Sequence, residues 1–81
     1  MEVKIKTLLE TSYKNTSVIF IHLSDDFLEL NVTTRLSSNF PTMALKILNK
    51  YPEIRLVNFT GGYIEGVYTR ETLKWAGYKV K

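Results

Sequence analysis

The chain has no cysteine, which excludes a disulfide framework, a thiolate metal site and a cysteine nucleophile. Histidine occurs once, at His22. A lone histidine with no serine or cysteine motif beside it completes no nucleophilic constellation. Long apolar runs are also missing. The longest is Val18–Ile21, far short of the ~20 residues a membrane helix needs. The start, MEVKIK, alternates charged with apolar residues and lacks the continuous apolar segment of a signal peptide. The expectation is therefore a soluble, cytoplasmic protein with no membrane association.

Proline occurs twice, at Pro41 and Pro52, and glycine four times, at Gly61, Gly62, Gly66 and Gly77. That is too little for a low-complexity or linker segment, and no internal repeat is present. Hydrophobic residues make up 44% and charged residues 23%, the balance of a folded domain and not of a disordered chain. Eighty-one residues make one domain, 1–81. A chain this small buries only roughly 60% of the surface exposed when unfolded, so a homodimer is one route to added stability.

The organising stretch is Ile54–Thr69, IRLVNFTGGYIEGVYT. Two glycines between β-branched and aromatic runs predict a hairpin, because tight two-residue turns need a positive φ that glycine adopts freely. Folding about Gly61 and Gly62 sets Phe59 opposite Ile64, Asn58 opposite Glu65, Val57 opposite Gly66 and Leu56 opposite Val67. The competing reading is one helix from Tyr63 to Ala76. It is disfavoured because Ile64 and Leu73 lie about 180° apart on the wheel, so no single apolar stripe forms.

Upstream, Glu2–Leu9 alternates Val3, Ile5 and Thr7 with lysines and reads as a strand with one wet face. Ser17–Leu23, apolar on both faces, reads as a central strand. Asp25 and Asp26 make a turn, and Phe27–Thr33 alternates again as a third strand. Pro41 opens a helix over about 41–51, with Ala44, Ile47, Leu48 and Tyr51 at helical spacing, and Pro52 ends it. Thr69 is the N-cap of a short helix over about 70–76, with Glu71 in its first turn and Gly77 as a left-handed C-terminal cap. Tyr78–Lys81 then adds an edge strand or frays. The predicted fold is α+β: an antiparallel sheet of about five strands in βββα-ββα order with one main and one short helix.

Net charge is +3, and it is localised. Residues 1–68 hold seven basic against seven acidic side chains, whereas the last thirteen hold Arg70, Lys74, Lys79 and Lys81 against Glu71 alone. Aromatics lie among these cations. Tyr68, Arg70, Lys74, Trp75, Tyr78 and Lys79 are the candidate partner-binding residues, since Trp, Tyr and Arg are the usual anchors of protein interfaces. The bland alternative has Trp75 and Leu73 hold the helix on the core while the lysines are merely solvated.

Two functions follow. The first is a small non-enzymatic interaction module, a regulator or inhibitor of a macromolecular partner, expected to be a protein. The second is a nucleic-acid-binding protein whose basic groups meet phosphates while its aromatics stack on bases. An enzyme using His22 with Asp25, Asp26 or Glu29 is a third, lesser reading. The three acids lack the alternating ligand spacing of a calcium loop, and Gly61 and Gly62 lack the companions of a phosphate loop. No catalytic residue, metal or cofactor is expected.

Overall fold

Phe27–Thr33, FLELNVT, does what its alternation dictates: Leu28, Leu30 and Val32 are buried while the residues between them are partly open. In the computed structural model, which describes residues 1–36, 38–60 and 66–81, this strand is β2. The order is α1 (Glu2–Ser12), β1 (Ser17–Ser24), β2 (Phe27–Thr33), α2 (Asn39–Lys50), β3 (Leu56–Phe59), β4 (Gly66–Thr69) and α3 (Arg70–Trp75). The α+β class holds. The described residues form a four-stranded mixed sheet in the order β1-β2-β3-β4 with three helices, not a five-stranded antiparallel one.

The sheet is mixed because α2 connects β2 to β3. A chain that crosses through a helix returns running the same way, so β2 and β3 pair in parallel while the outer pairs stay antiparallel. Pro41 sits in the first turn of α2, where a missing N–H leaves nothing unpaired. Met43, Ala44, Ile47 and Leu48 of α2 are buried with Leu28, Leu30, Val57 and Phe59 of the sheet. Phe40 meets the Phe59 ring edge-on at 4.8 Å. Each fully buried side chain of this kind stabilises by about 1.5–3 kcal/mol.

The expected N-terminal strand is instead α1. Ile5 and Leu9, one turn apart, are fully buried, whereas Val3, which the two-residue alternation placed beside Ile5, is 76% exposed. Lys, Leu and Glu all favour helix, and over eight residues the two periods share most of their apolar positions.

The Ser17–Leu23 strand was expected in the middle and lies at the edge. Ile19 and Phe20 are 65% and 50% exposed, and the register slips between Val18 and Phe20. Such a bulge changes which face later residues present, so an apolar run on both faces here does not mean burial on both faces. The open edge of β1 is met by α1: Glu10 Oε2 accepts the Val18 N–H at 2.9 Å and Glu2 Oε2 the Leu23 N–H at 2.7 Å. The helix thereby takes up backbone donors that would otherwise template strand pairing.

β3 and β4 pair antiparallel as the hairpin reading requires, and Gly66–Thr69 is strand, not part of a long helix. The register is two residues from the one counted: Phe59 faces Gly66, Asn58 faces Val67, Val57 faces Tyr68 and Leu56 faces Thr69. A two-residue shift keeps every side chain on its face. The Tyr68 ring lies over Gly66, where an added Cβ would meet Tyr68 Cε2 at 2.9 Å, and it stands edge-on to Phe59 at 5.7 Å. This packing couples Phe59, Gly66 and Tyr68 in the observed register. The turn proposed at Gly61 and Gly62 lies outside the described residues.

Thr69 caps α3 as expected, its hydroxyl accepting the Thr72 N–H while the Thr72 hydroxyl accepts the Thr69 N–H. Gly77, at φ +98°, closes the other end, with Gly77 N–H donating to Lys74 O and Tyr78 N–H to Leu73 O. Tyr78–Lys81 forms no strand. Asn49 ties it to α2 instead, donating to Lys79 O at 3.4 Å and accepting Lys81 N–H at 3.0 Å. Among the described residues, no helix is long and apolar enough to cross a membrane.

Candidate interaction surface

α3 is six residues long, too short to hold itself together. Its order comes from its two caps and from Leu73, which is 2% exposed in the core. The next-but-one residue therefore projects away from the core, about 200° around the axis. That residue is Trp75, and it is 93% exposed. The reading in which Trp75 and Leu73 together pin the helix fails for the tryptophan and holds for the leucine.

The six candidate residues divide by what they touch. Lys74, Trp75 and Lys79 are exposed. Tyr68 is half-buried against Phe59. Burial, with Tyr78 nearby, holds its phenol above the ordinary value of 10.0. Tyr78 packs half-buried on the core. Arg70 points inward: its Nη2 donates to Leu48 O at 2.7 Å and to Tyr51 O at 3.1 Å, the carbonyls at the C-terminal end of α2. Cations are favoured there, where the helix presents unpaired oxygens and the negative end of its dipole. Glu71, in the first turn of α3, is held below the ordinary carboxylate range by its own backbone N–H and the Thr69 hydroxyl.

A second set of cations lies on the outer face of α2 and was not singled out from the sequence. Lys46 and Lys50, one turn apart, line a groove of about 570 Å³ with Tyr13, Thr42, Leu45 and Lys81. The Lys46 and Lys50 ammoniums each stand 5.9 Å from an aromatic centroid, those of Tyr13 and Tyr51. The i, i+4 lysine pair is visible in the sequence. The approach of Tyr13, 33 residues before Lys46, and of Lys81, 31 residues after Lys50, is not.

His22 is on the edge strand β1, opposite Glu29. Its Nδ1 is 4.0 Å from Glu2 Oε2, an oxygen that already accepts the Leu23 N–H. Asp26 pairs with Arg55 at 3.1 Å. Among the described residues, no three His, Asp or Glu side chains converge as a metal site. Compared with family models, curated proteins and solved structures, the chain matches none of them.

Proposed function

We propose that the protein is a small non-enzymatic module that docks on another protein through the outer side of α3, with Trp75 as its anchor and Lys74 and Lys79 at the rim. The observation that carries this reading is the exposure of Trp75 on a helix capped at both ends and fixed by Leu73. A rigid exposed tryptophan offers a large apolar area with little conformational entropy to lose on binding. A regulator or inhibitor needs nothing more than such a surface.

The nucleic-acid alternative draws on the same segment but loses one of its cations, since the Arg70 guanidinium is engaged by α2 carbonyls. The test is affinity capture from lysate with wild type and Trp75→Ala, read by mass spectrometry and by nucleic-acid staining of the eluate. Trp75→Ala should release a protein retained by wild type, weakening binding by about 30-fold or more, the effect of an interface anchor worth ~2 kcal/mol. An unchanged set of retained proteins, or retention of nucleic acid alone, overturns the proposal.

A further inference from the structure

The groove on the outer face of α2 gathers Lys46, Lys50 and Lys81, and among the described residues no acidic side chain lines it. Like charges one helical turn apart repel, and each ammonium has only an aromatic ring beside it to offset that, not a carboxylate. The polar groups around them are already engaged. The Tyr13 hydroxyl donates to Thr42 Oγ1 at 3.1 Å and the Thr42 hydroxyl to Asn39 O at 2.9 Å, while Asn49 holds the C-terminal segment. What the groove offers a ligand is therefore point charges above a half-buried apolar floor of Leu45 and Tyr13.

A phosphate would use the lysines as point charges, but among the described residues no arginine lines the groove to give it a bidentate fork, and a phosphate leaves the apolar floor unused. Single-stranded nucleic acid needs free aromatic faces for stacking, yet the Tyr13 and Tyr51 rings have ammoniums over them. Apolar floor and cationic walls complement a chain that carries apolar side chains between carboxylates. We infer that the groove binds an acidic peptide segment with an apolar residue at its centre, a second contact on the partner protein. This rests on the reading that the partner is a protein, and it uses residues separate from Trp75.

The test is fluorescence anisotropy in low salt with a labelled peptide of repeating Glu-Glu-Leu. Controls are the same peptide with Gln for Glu, the same with Asn for Leu, and labelled oligo(dT) of equal charge. The Glu-Glu-Leu peptide should bind more tightly than all three. Lys46→Glu with Lys50→Glu should weaken it roughly tenfold or more through like-charge contact, with the fold retained by far-UV circular dichroism, and Trp75→Ala should leave it unaltered. Equal binding of the Gln peptide, tighter binding of oligo(dT) through the same lysines, or no binding overturns the inference. Capture of a partner that depends on Trp75 but survives the lysine double variant would sink this assignment while leaving the module's function intact.

Discussion

Arg70→Ala should unfold this protein more readily, although Arg70 belongs to a surface segment. Its Nη2 reaches Leu48 O at 2.7 Å and Tyr51 O at 3.1 Å. A hydrogen bond to a charged donor contributes about 1.5–3 kcal/mol, and a cation at a helix C-terminus adds ~0.3–1 kcal/mol. Both carbonyls share one nitrogen at a partly open site, so the combined loss is about 2–3 kcal/mol, near the lower end of the sum. Against a total of about 4–12 kcal/mol for a chain of 81 residues, that is roughly a sixth to three quarters of the stability. A domain of this size shifts by ~4–8 °C per kcal/mol, so the midpoint should fall by roughly 10–20 °C. Urea titration and thermal melts followed by far-UV circular dichroism measure both quantities. Arg70→Lys keeps the charge but not the reach and should recover only part of the loss. A midpoint within about 3 °C of wild type for Arg70→Ala would refute the reasoning, because water would then serve the α2 carbonyls as well as the guanidinium does.

Two other outcomes follow from the same bonding. Glu10→Ala leaves the edge N–H of Val18 without its carboxylate and should cost about 1–2 kcal/mol in urea titration. Glu10→Gln, which keeps an acceptor oxygen, should cost less, and equal losses would discount the hydrogen bond. Burial and Tyr78 raise the Tyr68 phenol above its ordinary value of 10.0, so the unfolded chain ionises first. The resulting stabilisation is complete below that pH and is lost as pH climbs through the folded value. Tyr68→Phe should flatten this alkaline decline in melts run across the range, and an unchanged slope would assign it to other groups.

Much of the fold is readable residue by residue. Pro41 and Pro52 bracket α2 within a turn, Thr69 and Gly77 mark both ends of α3, and the alternation of Phe27–Thr33 identifies β2 and its buried face. These signals are local, carried by a fixed φ, a side-chain oxygen or a missing Cβ acting within four residues. The N-terminal segment fails because its pattern is too short to separate two periods, and burial of Ile5 and Leu9 decides for helix.

The candidate surface divides in the same way. The residue types near the C-terminus are evident from the chain alone, but whether each faces outward is not. Arg70 and Lys74 share a helix face by spacing, yet Arg70 reaches back to α2 while Lys74 stays exposed. The lysine groove is hidden from any local reading, since Tyr13 and Lys81 meet Lys46 and Lys50 only after folding.

Composition and spacing alone determined the α+β class, the helix between Pro41 and Pro52, the caps of α3, the alternating strand β2 and a basic, aromatic C-terminal end. Packing decided which strand lies at the edge, which pair runs parallel, the hairpin register and the outward placement of Trp75. The physical reason is reach. Caps, turns and periodicity are interactions between near neighbours, whereas strand order and exposure depend on which distant apolar faces exclude water together.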